Sequence, residues 1–218
     1  MFINKLHVMD FFELINGSSI DYVLIKNVGR ELPDQLKDGK DIDIIVKDNQ
    51  IDKFEKFMKS HNFSIVDHPL GRKNGWNFGY QLPEHQFWKK NNIEETLYID
   101  VSFKLSCKSL SPKIWIPLDQ QINKDIWENK VFDKKNGWWI MDDRTIFIYM
   151  IVRSVFDKNQ FKDVYVNDIE KMSYLLNDID VVRSMECVFF KYTNRLIDLL
   201  KEKRYDDIIN DYICFVEY

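Results

Sequence analysis

The stretch that decides the fold is Gly39-Lys40-Asp41-Ile42-Asp43-Ile44-Ile45-Val46. It alternates polar and apolar residues at a period of two and is rich in β-branched side chains, which predicts a strand. On a strand, Asp41 and Asp43 project from one face and Ile42, Ile44 and Val46 from the other, into a core. Two like charges side by side repel, and a sheet gains no stability from them. A divalent cation resolves the conflict, because hard carboxylate oxygens bind Mg2+ and Mg2+ also bridges substrate phosphates. For Asp-x-Asp alone, a solvated strand edge with two harmless acids is the competing explanation.

Upstream, Tyr22-Val23-Leu24-Ile25 reads as a short buried strand. Before it, Leu6, Met9, Phe12 and Leu14 mark one stripe of a helix that stops at Asn16-Gly17. Residues 27–40 are polar with Gly and Pro, hence a loop. Downstream, Asp48 or Asn49 caps a helix through about His61, with Ile51, Phe54, Phe57 and Met58 at helical spacing. Phe63–Val66 is the next strand, and Asn74-Gly75 predicts a hairpin turn into a strand over 76–80. Residues 96–103 form a strong strand with Leu97, Ile99, Val101 and Phe103 on one face and Tyr98, Asp100 and Ser102 on the other. A short strand is expected at 113–116 and a hairpin around Asn136-Gly137. From Asp142 onward the pattern is helical. A first helix carries Ile146, Phe147, Met150, Ile151 and Val155, and further segments cover about 165–177, 181–203 and 206–214. No proline follows Pro117, which suits a helical tail. The expected fold class is α+β, with an αβ domain over 1–140 and a C-terminal helical subdomain over 141–218.

Asp100 gives the Asp-x-Asp strand its meaning. An isolated acid between apolar Ile99 and Val101 is costly unless it is paired, solvated or bound to metal. If both strands share one sheet with polar faces aligned, three carboxylates converge. Three acids can hold two Mg2+ ions about 3.5–4 Å apart, an arrangement suited to in-line phosphoryl or nucleotidyl displacement. Asp100 can also serve as base for an incoming hydroxyl.

At this point the sequence resembles the nucleotidyltransferase (polymerase β-like) superfamily. Residues 20–103 carry the resemblance: helix, strand, loop, Asp-x-Asp strand, helix, and a later strand with a third Asp. The run YVLIKNVGRELPDQLKDGKDIDIIV is most similar to small bacterial nucleotidyltransferase-like proteins of surface-polysaccharide loci. Lys26 takes their basic place after the first strand, and Leu32-Pro33 their Leu-Pro. The resemblance implies a mixed sheet flanked by helices and Asp41, Asp43 and Asp100 as metal ligands and catalytic residues. It implies Mg2+ as cofactor, with Mn2+ able to substitute, and an NTP and a small-molecule acceptor as partners. DDRTIFIYMIVRSVFDKNQF is similar to the helical part of such proteins, where Arg153 and Lys158 would face the phosphates. One departure stands out. The superfamily carries Gly-Gly or Gly-Ser after the first strand, whereas this chain has Asn27-Val28-Gly29. Phosphate binding then falls to Lys26, Asn27 and Gly29, with charge from Lys26 or Arg30.

Composition bounds the alternatives. The chain has 218 residues, with 31 Lys plus Arg against 35 Asp plus Glu and a formal charge of −4, which disfavours a grip on long nucleic acid by charge alone. Its three cysteines (Cys107, Cys187, Cys214) form no Cys-x-x-Cys pair, so reduced thiols are expected. No apolar run approaches the ~20 residues that span a bilayer. The N-terminus lacks a small-residue cleavage site, and a cytoplasmic protein is the expectation. His68 and His85 are candidates to line a substrate cleft. Trp76, Trp88, Trp138 and Trp139 offer stacking faces, although large aromatics in hairpins are usually core. Arg144 and Arg153 lie nine residues apart on one helix, so at most one reaches the site.

Three functions fit these residues: an Mg2+-dependent nucleotidyltransferase moving an NMP from an NTP to a small hydroxyl- or phosphate-bearing acceptor, for example in surface-glycan synthesis; a phosphotransferase using a nucleotide-activated donor; and a non-catalytic binding or antitoxin-like module of the same fold.

Overall fold

The computed structural model describes residues 1–27, 30–68, 75–109 and 113–212. A mixed sheet of seven strands runs through it, flanked by helices. The strands are β1 (Tyr22–Leu24), β2 (Asp41–Val46), β3 (Phe63–Val66), β5 (Gln86–Lys90), β6 (Tyr98–Ser102), β9 (Val131–Asp133) and β10 (Trp138–Ile140), in the spatial order β3-β5-β6-β2-β1-β10-β9. A separate three-stranded sheet orders β4 (Asn77–Phe78), β8 (Ile114–Pro117) and β7 (Ser106–Lys108). At the centre, β2 pairs with β1 antiparallel and with β6 parallel.

The two faces of the large sheet feed different cores. Ile42, Ile44 and Val46 pack with Ile99 and Val101 against helices α1 (Lys5–Asn16) and α2 (Ile51–Ser60), through Val8, Phe11, Phe12, Phe54 and Met58. Those three β2 residues are 0–1% exposed, as the alternation requires. The opposite face does not stay polar. Val23, Ile25 and Ile45 enter a second core with the helices α4 (Asp143–Val152), α5 (Asp163–Lys171), α6 (Ile179–Phe189), α7 (Thr193–Lys201) and α8 (Tyr205–Tyr212). The helical segment therefore lies over the end of the face that Asp41 and Asp43 begin.

Capping follows the sequence in most places. Asp142 caps α4 by accepting from the Thr145 N–H, and Asn4 caps α1 by accepting from the Leu6 N–H. The antiparallel hairpin of β9 and β10 turns through Gly137, at φ +81°. Among the described residues, no helix is long and apolar enough to cross a membrane.

Several local expectations need correction. The buried stripe of α1 is Val8, Phe11, Phe12 and Ile15, while Leu6 and Leu14 are exposed. Four residues at i, i+3, i+4 and i+7 cover the core more fully than the expected set. Neither Asp48 nor Asn49 caps α2; residues Asp48–Gln50 form a 3-10 turn that leads into it. The turn at Asn74-Gly75 falls partly outside the described residues, and the strand after it does not return along β3. Instead β4 pairs in parallel with β8, and β3 pairs with β5. Strand β5, strand β7 and helix α3 (Gln120–Glu128) were not anticipated. In β5 the residues Phe87 and Trp88 are both buried, so its sequence lacks alternation. The helix expected over 181–203 breaks at Phe190, whose φ of +48° ends α6 and turns the chain into α7.

Candidate functional site

The site begins with strand register. Strands β2 and β6 run parallel with Asp43 opposite Asp100, and Asp41 opposite Tyr98. Side chains two apart on one strand share a face, and residues in register on neighbouring strands share it too. Asp41, Asp43 and Asp100 accordingly each offer a carboxylate oxygen, and these oxygens lie within 4.8 Å of one another. The convergence expected from the sequence is present.

The electrostatics match a cation site. Burial and then the charge of Asp43 push the Asp41 carboxyl up, against the pull of Lys26. Burial, then Asp43 and Asp41, push Asp100 well above the ordinary carboxylate range. Oxygen Oδ1 of Asp100 is shielded from solvent and has no hydrogen-bond partner among the described residues. A buried acceptor without a donor, beside two further carboxylates, is a donor set for a hard divalent ion. Lys26, just beyond β1, neutralises part of the charge with Nζ 2.8 Å from Asp43 Oδ1.

One cavity opens on the carboxylates and a second lies nearby. The first, of about 390 Å³, has Asp41 and Asp43 in its wall together with Lys26, Asn27, Lys40, Lys158 and Lys162. Lys40 is paired with Glu31, but Lys158 and Lys162 have no salt-bridge partner among the described residues. Burial, then repulsion from Arg153 and Lys26, pulls the Lys158 pKa down. Crowded ammonium groups of this kind call for an anion. The second cavity, of about 610 Å³, is lined by His68, Trp76, Phe78, His85 and Phe87 among others. Two of its lining histidines lie beside Asp100: His68 Nε2 is 3.7 Å from Asp100 Oδ2 and His85 Nδ1 is 4.0 Å from Oδ1. The other ring nitrogen of His85 is 3.2 Å from Ser102 Oγ.

The other expected residues fall as follows. The side chain of Asn27 is used within its own loop: its Oδ1 accepts from the Leu32 N–H at 3.1 Å and its Nδ2 donates to the Leu32 carbonyl at 3.4 Å. Gly29 lies outside the described residues. Arg153 opens a π-helical turn, Arg153–Lys158, that continues α4. Its guanidinium donates to the Tyr149 hydroxyl at 3.2 Å and lies 3.7 Å from Asp157. Although burial opposes its charge, Tyr149 and Asp157 hold its pKa above the usual arginine range, and its field also acts on Asp43 and Asp100. Arg144 points away and pairs with Asp178 and Asp180. Trp88 and Trp138 are core, at 0% and 1% exposed, whereas Trp76 is half-buried against His68. Lys40 and Lys162 were not singled out from the sequence; adjacency to Asp41 was the available signal for Lys40.

No protein-family model matches the chain, and no curated protein matches it. Among solved structures it is similar to an antigenic nucleotidyltransferase-like protein from Paracoccidioides brasiliensis, with 13% identity and a TM-score of 0.45 over 90% of this chain and 91% of that one. A likeness of that degree assigns no chemistry to the residues described above.

Proposed function

We propose that the protein is a divalent-cation-dependent nucleotidyltransferase. The observation that carries this reading is the register of Asp43 with Asp100, which brings three carboxylates together beside a lysine-lined cleft. Asp41, Asp43 and Asp100 hold the metal, with Mg2+ the natural ion and Mn2+ a substitute. Mg2+ bound there would neutralise charge on the phosphates and on the attacking oxygen. Lys26, Lys158 and Arg153 supply positive charge to the triphosphate of an NTP. Asn27 shapes the loop through Leu32, and Gly29 is retained as a backbone phosphate contact.

In the reaction, the oxygen of an acceptor hydroxyl forms a bond to the α-phosphorus of the NTP. The bond from that phosphorus to the bridging oxygen of the β-phosphate breaks, and pyrophosphate leaves with the electron pair. Asp100 takes the hydroxyl proton. Lysine ammonium groups stabilise the negative charge that grows on the departing pyrophosphate. The αβ part, 1–140, carries the ligands, and the helical part, 141–218, contributes Arg153 and Lys158.

Calorimetric titration with Mn2+ and a non-hydrolysable NTP analogue tests the reading. Metal-dependent nucleotide binding that vanishes in Asp43→Asn is the expected result. Nucleotide binding that ignores metal, or that survives Asp43→Asn, would overturn it.

A further inference from the structure

The helical segment carries a charged pair that stability does not explain. Arg153 opens the π-helical turn Arg153–Lys158, and Asp157 is its last residue but one. The turn departs from α4 where the Ser154 hydroxyl donates to the Met150 carbonyl at 2.8 Å, a local competitor of the helical ladder. Around it lie apolar residues of the second core, Val152 and Val155 among them. The Asp157 side chain is 2% exposed and that of Arg153 13%. Taking a guanidinium and a carboxylate this far out of water is costly, and apolar residues of like volume commonly serve stability as well or better.

Asp157 divides its two oxygens. Its Oδ1 accepts from the Lys108 N–H at 3.0 Å, and its own carbonyl accepts from Lys108 Nζ at 3.2 Å, which fastens the turn to β7. Its Oδ2 faces Arg153 Nε at 3.7 Å. Both of those atoms are shielded from solvent, and neither has a hydrogen-bond partner among the described residues. Through Nη1 the guanidinium donates to the Tyr149 hydroxyl at 3.2 Å. A guanidinium has five N–H donors in a rigid planar fork, so donors remain for a ligand. The same turn reaches the cleft. Its last residue, Lys158, lines the cleft beside Asp41 and Asp43, and the charge of Arg153 acts on Lys158, Asp43 and Asp100.

We propose that Asp157 is a positioning residue which, together with Tyr149, acts through Arg153 and sets that guanidinium for a polyphosphate in the cleft. The inference rests on the nucleotidyltransferase reading for the identity of the ligand, but the binding it describes needs no divalent ion and no nucleoside. Charge alone predicts the reverse effect: an acid near an anion site weakens binding, so its removal would tighten it. Positioning predicts a loss. Asparagine has one acceptor oxygen where aspartate has two, and it can serve Lys108 or Arg153 but not both.

Calorimetric titration of the full chain with inorganic tripolyphosphate, free of divalent ions, tests it. Asp157→Asn should weaken binding about tenfold, the scale of one hydrogen bond to a charged group. Arg153→Lys keeps the charge and loses the fork, and should weaken binding by a similar factor. In that background Asp157→Asn should cost less than about threefold, because the group it acts through is gone. If Asp157→Asn fails to fold, Tyr149→Phe takes its place, since it changes no charge. Its expected loss is about threefold, and it should vanish in the Arg153→Lys background. Unchanged or tighter binding in folded Asp157→Asn, no loss in folded Tyr149→Phe, losses that add fully to that of Arg153→Lys, or no binding of tripolyphosphate by the wild type would overturn the proposal. Because no divalent ion and no variant of the three carboxylates enters the titration, failure here leaves metal-dependent nucleotide binding intact, and failure of that binding leaves this result standing.

Discussion

Asp43 and Asp100 face each other in register across the parallel pair of β2 and β6, although 57 positions separate them in the chain. A parallel pairing cannot be made by a tight hairpin, so the intervening chain must leave the sheet and return. It does so through α2 and two strands further out, β3 and β5, before β6 comes back beside β2. The result sets like charges together in a partly buried place, which the fold alone has no reason to do.

Asp41→Asn and Asp43→Asn should each lower turnover with NTP more than about a hundredfold, as expected for loss of a ligand to a catalytic ion. Folding should survive: Asp41→Asn only relieves repulsion from Asp43, and in Asp43→Asn the relief of that repulsion offsets the weakened contact with Lys26. Rates of pyrophosphate release and circular dichroism on the same preparations check both halves.

Asp100→Asn should raise the melting temperature of the metal-free protein at neutral pH. The carboxyl is held above its ordinary range by burial and by Asp43 and Asp41, so its favourable contribution is present when it is protonated and is lost as pH rises through its folded pKa. The asparagine cannot ionise and avoids that loss. The same variant should lose the upward shift that Mn2+ gives the wild type. A large fall in stability at every pH would instead mark Asp100 as structural.

Lys158→Ala should raise KM for NTP about tenfold with little change in metal affinity, the scale of one hydrogen bond to a charged group. The ammonium has no salt bridge to lose among the described residues, and burial beside Arg153 already disfavours its charge. Steady-state kinetics with Lys158→Arg as the conservative control would separate loss of charge from loss of shape.

Asp21 governs an acid-sensitive contact far from the carboxylate site. Burial opposes its ionisation, but Lys130 at 2.9 Å and Lys47 at 3.0 Å outweigh that and hold its carboxyl below the ordinary carboxylate range. A depressed carboxyl contributes stability above its unfolded pKa and loses it as pH falls through the folded one. Asp21→Asn should therefore flatten part of the stability loss below about pH 4. Thermal melts across that range, wild type against variant, measure it.

Gly39→Ala should destabilise the protein by about 1 kcal/mol, the cost of a left-handed backbone for a residue with a Cβ. Gly39 has φ +79° with open space where a Cβ would sit, so no clash adds to that cost. Its N–H donates to the Thr96 carbonyl at 2.9 Å, which ties the entry of β2 to the segment before β6. Denaturant midpoints give the number, and a loss of Mn2+ affinity would show that the register of β2 moves with it.

Much of this molecule was legible in short stretches of chain. The alternation of Asp41–Val46 named a strand and assigned its faces, because a strand's period is fixed by the backbone. Gly137 named a hairpin and Asp142 a helix start, because φ and capping are local matters. Residues whose environment is made by distant chain escaped. In β5, buried on both sides of its pleat, Phe87 and Trp88 left no alternation to read. Leu6 and Leu14 of α1 were as apolar as Val8 and Ile15, and only the docked sheet distinguished covered from exposed.

By itself, then, the sequence determined that Asp41 and Asp43 share a face and that Asp100 sits as a lone acid among apolar neighbours, since both are consequences of local backbone geometry. Only the tertiary structure decided that β6 lies parallel to β2 in the register that brings Asp100 to Asp43, that lysines gather on one side and rings on the other, and that Asn27 is spent on Leu32. Those outcomes depend on strand order and on helices packing across hundreds of ångströms of chain contour, about 3.3–3.6 Å per residue when extended, and no local pattern encodes them.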